Sequence, residues 1–312
     1  MERDLYRFVS FFELYDLFTK SQLKMSRLSL MSDKNEGLGD VLKFQESIAY
    51  SWDVRKQEKF IEFHESVKGR TYISSWTSEP DLMAMWLLYS QDSSSIRIKT
   101  KQTKLRKVLH DFWENNYWTK HIDSKEGTIQ LDGIATVDNV DYISFEEISN
   151  KIKEKYKQYY KMIEDNVKES GSFFPSAEIQ EHMQKTVIES NFGTILKDKA
   201  YSHEKEVRAF FSVCLRNKIT REEYKELVSK DNMSAIFGTA TSDYPTPDKL
   251  PNIIKIPIES DFVESICFDP RMPTYKKDVY LDLFSPHLKT IEIEESFVFG
   301  YKPEKHKFSV DD

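Results

Sequence analysis

The stretch Tyr201-Ser202-His203-Glu204-Lys205-Glu206-Val207-Arg208-Ala209-Phe210-Phe211 constrains the fold more than any other part of this chain. Residues 207–213 read as a strand, and a period of two then puts Glu204, Glu206 and Arg208 on one face with Val207 and Ala209 opposite. A strand face made of two carboxylates and a guanidinium either stands in water or lines a polar cleft. In the second case the chain is an enzyme.

The rest of the composition sets the frame for that choice. With 312 residues the chain holds one large domain or a domain with substantial insertions. Apolar residues make up 39%, and 21 Phe, 16 Tyr and 5 Trp supply a core, which excludes wholesale disorder. A net charge of -7 argues against a generic phosphate-backbone binder while leaving room for a local basic groove. Cys214 and Cys267 both fall in apolar runs and read as buried thiols, with a disulfide or metal pair as the minor reading. The charged start Met1-Glu2-Arg3-Asp4 lacks an apolar signal core, and no run approaches the roughly 18 apolar residues of a membrane span. A soluble, cytoplasmic protein without a membrane partner is the expectation.

Along the chain, residues 5–9 read as a short strand. Ser10 and Glu13 form a capping-box pair that opens a helix. Residues 28–31 read as a second strand, followed by the turn-prone Ser32-Asp33-Lys34-Asn35-Glu36-Gly37. Residues 42–68 carry helical periodicity. Residues 71–76 read as a strand, and Glu79-Pro80-Asp81 opens a helix through Leu82, Met85, Trp86 and Tyr89. Strands are expected at 96–99, 133–142, 253–258, 262–268 and 291–299. Helices are expected at 105–118, 146–168, 177–190, 221–228 and 278–284, with a loop at 244–247. Strands and helices intermix without a regular βαβ beat. The fold class is therefore α+β, with a mixed, mostly antiparallel central sheet in a single domain 1–312 and a mostly helical insertion or lid within 100–195.

Three clusters carry chemistry. Tyr6-Arg7-Phe8 sets an arginine between aromatics, which suits anion binding and equally suits a snorkelling surface side chain. Ser74-Ser75-Trp76-Thr77-Ser78-Glu79 leaves a strand and enters a helix; it can hold a ribose and a flat ring, or supply Ser78 as an N-cap. Glu204-Lys205-Glu206 is the third, with His203 the only histidine beside it. There is no GxGxxG, P-loop, HExxH, GxSxG or CxxC framework, so those nucleotide, metallohydrolase, elbow-hydrolase and zinc-finger classes lack support.

Taken together, these segments resemble the prokaryotic family catalogued as domain of unknown function 2971. The resemblance rests on Tyr6-Arg7-Phe8-Val9-Ser10, on the loop at Asn35-Glu36-Gly37 where the family has Asn-Asp-Pro, and on Ser75-Trp76-Thr77. It continues through Met85-Trp86-Leu87-Leu88-Tyr89, then Lys199 with Tyr201, Glu204, Glu206 and Arg208, and closes at Asp269-Pro270-Arg271. A second resemblance is to ADP-ribosyltransferases of the arginine–serine–glutamate type, through Arg7, the Ser75-Trp76-Thr77 strand and Glu204-Lys205-Glu206 in that order. It implies an ADP-ribosyltransferase-like enzyme or NAD glycohydrolase, a class that includes toxins and anti-phage effectors, with NAD as substrate and a protein or nucleic acid as acceptor. Glu206 would grip the ribose, Glu204 would orient the acceptor, and Arg7 would clamp the pyrophosphate. Ser75 would brace the ribose or Glu206, Trp76 or Tyr201 would stack on the nicotinamide, and Tyr6, Thr77 and Arg208 would complete the cofactor-binding set. No metal is expected. Two other readings stay open: a magnesium-dependent nuclease using Glu204, Glu206 and Lys199, and a non-catalytic sensor with the same face in structural ion pairs.

Overall fold

The structure, a computed structural model, describes residues 2–33, 35–37, 68–116, 128–171, 176, 194–216, 226, 229–230 and 250–300. The helices expected at 177–190 and the loop at 244–247 lie outside the described residues, as do those at 42–68 and 221–228 except for Lys68 and Glu226. The chain separates into two compact units, each assembled from distant stretches of sequence. The architecture is α+β with a mixed, mostly antiparallel sheet. Among the described residues, no helix is long and apolar enough to cross a membrane.

The first unit comprises Met1–Leu23, Trp76–Val108 and Pro257–Asp312. Its sheet is built on β1 (Asp4–Val9), antiparallel to β4 (Ile96–Lys101) with Asp4 opposite Lys101 and Val9 opposite Ile96. β4 in turn pairs antiparallel with β10 (Ser265–Phe268), which pairs in parallel with β11 (Glu292–Glu294). β10 and β11 are shorter than the alternating sequence suggests. On the other side of β1, Tyr6 pairs with Thr77, the last residue of β3 (Thr71–Thr77).

Two helices cover this unit with aromatic residues. α1 (Phe11–Thr19) starts at Ser10, whose extended backbone lets its hydroxyl accept the Glu13 N–H, a cap worth about 1 kcal/mol. The Glu13 carboxylate takes the Arg7 guanidinium at 2.7 Å. Phe11 and Phe18 pack against Tyr280 and Phe284 of α5 (Thr274–Leu288). The Phe8 ring meets Trp86 edge-to-face at 4.6 Å, within a core cluster that includes Met85 and Cys267. Cys267 is a buried free thiol, and burial pushes its pKa up to about 11.

One helix starts later than expected. α2 spans Met83–Tyr89 and has Leu82, not Ser78, at its cap. The reason lies in the residues just before it. Arg97 donates to the Pro80 carbonyl, while Asp81 accepts from the Trp86 indole at 2.9 Å and from the Ser296 hydroxyl at 2.8 Å. These bonds hold 80–81 outside the helix, and the Thr77 hydroxyl accepts the Glu79 N–H just before them.

The second unit comprises Lys24–Ser75 and Leu109–Ile256. Here β2 (Gln22–Arg27) replaces the strand expected at 28–31. Its alternating burial fits a half-buried strand, and Leu28–Leu30 forms a short 3₁₀ turn that drops Leu28 onto Ile73 and Phe210. β2 pairs antiparallel with β3, and β3 pairs with β8 (Glu206–Arg216). β8 also pairs along β5 (Thr128–Asn139), with a bulge between Asp132 and Thr136. Tyr72 stacks on Phe211 at 5.7 Å. α3 (Gln102–Asn116) and α4 (Phe145–Ser170) flank these strands in sequence; α4 opens on a capping box at Ser144 and Glu147 and ends on Gly171 with φ 68°. Ile148 and Ile152 of α4 pack on Leu196 of β7 (Leu196–Asp198), which pairs in parallel with β6 (Asp141–Ile143).

Candidate active site at the head of β8

β8 begins at Glu206, and period two does place Glu206 and Arg208 on one face. Glu204 reaches them by another route. It ends a 3₁₀ turn, Lys199–Glu204, and Lys205 follows with φ 45°, a left-handed conformation that costs a non-glycine residue on the order of 1 kcal/mol. That residue turns the chain so that Glu204 and Glu206 both face inward. The β6–β7 pair then sets Tyr142 directly opposite Lys197, so both side chains leave the same face.

The result is a buried ionic cluster inside the second unit. The Lys197 ammonium lies 2.7 Å from Glu204, 3.4 Å from Glu206 and 3.3 Å from Glu36, and 4.6 Å from the centre of the Tyr201 ring. Arg208 grips Glu206 with a fork, its Nε and Nη2 each 2.9 Å from a carboxylate oxygen. It also donates to the Thr194 carbonyl and lies 3.0 Å from Glu36 Oε2. That last contact is electrostatic, since Oε2 accepts no hydrogen bond; Oε1 accepts one from Nη2 at 3.2 Å. The Ser75 hydroxyl is near enough to help lower the Glu206 pKa, and the Glu206 backbone N–H donates to the Tyr142 hydroxyl at 2.7 Å.

Glu206 is 4% exposed and Arg208 0%. Burial by itself drives the Glu206 pKa up, but the Arg208 charge and hydrogen bonds, with Lys197 and Ser75, outweigh it and hold the carboxyl at about 2. Burial lowers the Lys197 pKa, and the surrounding carboxylates Glu206, Glu36 and Glu204 raise it above its ordinary value. The Tyr142 phenol is pushed up to about 12, first by burial and then by Glu206 and Glu204. Near neutral pH the site therefore presents an anionic Glu206, a cationic Lys197 and a protonated Tyr142.

The structure divides the residues expected from the sequence. Glu204, Glu206, Arg208, Ser75 and Tyr201 meet in this cluster. Arg7, Tyr6, Trp76 and Thr77 belong to the first unit, where the Arg7 guanidinium lies 5.8 Å from the Trp76 ring and Arg97 lies 5.3 Å from the Tyr6 ring. Ser75 and Trp76 are consecutive in β3, so their side chains leave opposite faces of that strand. Lys199 is exposed, and Lys197 takes the place expected for it beside the carboxylates. His203 is exposed too, its Nδ1 3.2 Å from the Ala200 carbonyl oxygen. Among the described residues no group of His, Cys, Asp or Glu has an arrangement that could hold a metal.

Lys197, Glu36, Tyr142 and Thr194 were not legible as site residues. A signal for Glu36 did exist in Gly37, which has φ 73° and where a Cβ would come within 2.8 Å of Leu28 Cδ2. Only glycine fits there, which fixes the turn that carries Glu36 inward.

Residues 85–209 match the model of a family described as "Protein of unknown function (DUF2971)". Over this stretch the chain is similar to family 2971. The family segment takes in α2, Tyr142, Lys197, Glu204, Glu206 and Arg208, while Tyr6-Arg7-Phe8, Glu36, Ser75 and Asp269-Pro270-Arg271 lie outside it. No curated protein matches the chain. No solved structure matches it either.

Proposed function

We propose that this cluster cleaves the N-glycosidic bond of NAD and passes the ADP-ribosyl group to an acceptor or to water. The observation that carries this reading is the pairing of β3, which bears Ser75, with β8, which sets the serine strand beside an ionised Glu206 held by Arg208. As the bond from the ribose carbon to the nicotinamide nitrogen breaks, its electron pair leaves on neutral nicotinamide and positive charge builds on the ribose. A carboxylate kept ionised and fixed in place by Arg208 stabilises that charge without having to reorganise. Glu204, gripped by Lys197, is the group that would orient the attacking hydroxyl. On this reading the cluster is a resting form, in which the long 3.4 Å contact from Lys197 holds a Glu206 oxygen that a ribose hydroxyl would engage. Arg7, Tyr6, Trp76 and Thr77 take no part in the reading.

A non-catalytic role has its own support. Two nitrogens of Arg208 and the Lys197 ammonium already supply the Glu206 carboxylate with three donors, as a purely structural network would. One experiment separates the two. Nicotinamide release from NAD is measured for the wild type, Glu206→Gln and the exposed control Glu169→Gln. Release that falls on the order of 100-fold or more in Glu206→Gln alone supports catalysis. No release by the wild type, together with a lower melting temperature for Glu206→Gln, leaves the structural reading.

A further inference from the structure

The Tyr142 hydroxyl is a polar group of the cluster whose hydrogen-bonding capacity is part used. Its oxygen accepts the Glu206 N–H at 2.7 Å, and among the described residues it makes no other hydrogen bond. A phenol carries one proton to donate, and that proton has no acceptor among the described residues. Phenolic O–H bonds prefer the ring plane, and a donor already bound to the oxygen repels the hydroxyl proton, which is left to serve a different acceptor. Pairing of β6 with β7 sets Tyr142 opposite Lys197, and the residue is half-buried, at the edge of the cluster rather than within its core. Burial and the neighbouring carboxylates keep the proton on the phenol up to about pH 12, so it is a donor at any working pH.

We infer that Tyr142 is a ligand-binding residue whose hydroxyl donates to an oxygen of the bound molecule. In the NAD reading, on which the choice of ligand rests, that oxygen belongs to the ribose. A sugar hydroxyl that donates to Glu206 keeps its lone pairs free, so it can accept from Tyr142 at the same time. The two residues would then hold one hydroxyl reciprocally, and Tyr142 would select for a ribosyl group over a ligand lacking it.

The test places 3-fluorotyrosine site-specifically at Tyr142, and separately at the exposed Tyr275 as a control, and follows the fluorine resonance on titration with NAD and ADP-ribose. Nicotinamide release is measured on the same samples. A saturable shift at 142 but not at 275, together with release, is the expected result. It should be accompanied by about a tenfold rise in the NAD concentration for half-saturation in Tyr142→Phe, the loss of one hydrogen bond to ligand. A shift at 142 without release keeps Tyr142 as a ligand contact and overturns the proposed reaction. Release without a shift keeps the reaction and overturns the role of Tyr142. Neither shift nor release overturns both. If Tyr142→Phe fails to fold for want of an acceptor for the Glu206 N–H, the fluorinated protein, which retains the hydroxyl, still decides the question.

Discussion

Glu206-Val207-Arg208 and Asp269-Pro270-Arg271 are the same device used in two ways. In each, a carboxylate stands two residues before an arginine that grips it with Nε and Nη2, at 2.9 and 2.9 Å in the first and 3.0 and 2.7 Å in the second. What differs is where the remaining donors go. Arg271, in the first unit, sends Nη2 to the carbonyls of Trp86 and Ser90 at 3.0 and 2.9 Å, closing the C-terminal end of α2, and packs 4.9 Å from the Phe299 ring. Helix ends leave such carbonyls without partners, so this arginine is a cap. Arg208, in the second unit, turns to a further carboxylate, Glu36, and its own partner Glu206 is also held by Lys197, with Ser75 near it. The pair motif therefore selects a geometry, while its neighbours decide whether the geometry fastens a helix or organises charge.

The sharpest way to break this comparison is to remove each arginine in turn. Arg208→Ala strands Glu206 beside Glu36 in a buried setting and should lower unfolding free energy by about 3–5 kcal/mol in urea titration. A loss under about 1 kcal/mol would mean that the cluster is not organised by this residue. Acid titration comes next in size. Glu206 is depressed from an ordinary 4.5 to about 2, so its contribution is fully present above pH 4.5 and is lost as pH falls toward 2. That contribution is on the order of 3 kcal/mol, and the matching slope in stability between those pH values should flatten in Glu206→Gln. A slope unchanged by the substitution would assign the acid sensitivity to other groups. The smallest effect belongs to Arg271→Ala, which should cost about 2 kcal/mol through the lost charged hydrogen bonds and leave nicotinamide release at the wild-type level. Release abolished in that variant would erase the distinction between the two pairs.

Part of the site was readable because it follows backbone period. Glu206 and Arg208 share a face for the same reason that Val207 and Ala209 are both buried on the other. Ser10 announces a helix start by an oxygen three residues before Glu13; the structure uses that oxygen as the cap, while the Glu13 carboxylate turns to Arg7 instead of closing the box. Lys197 is not distinguishable from Lys199 in the sequence because the 3₁₀ turn at 199–204 has no strong local signal, and without it the strand register of that lysine is invisible. The late start of α2 was hidden for a related reason, since Arg97 and Asp81 hold the residues before it from a distance.

The sequence by itself determined the α+β class, the strands at β1, β3, β4 and β8, the similarity of 85–209 to family 2971 and the Glu-x-Glu-x-Arg face. All of these depend on residues within a turn or two of one another, whose spacing is set by helix and strand geometry. Tertiary structure alone decided that Glu36 meets Arg208 across 172 positions, that Lys197 stands among three carboxylates, and that Ser75 and Tyr142 close on Glu206. Charges far apart in sequence attract without any local pattern, and only chain folding sets the few ångströms over which a buried pair gains its strength.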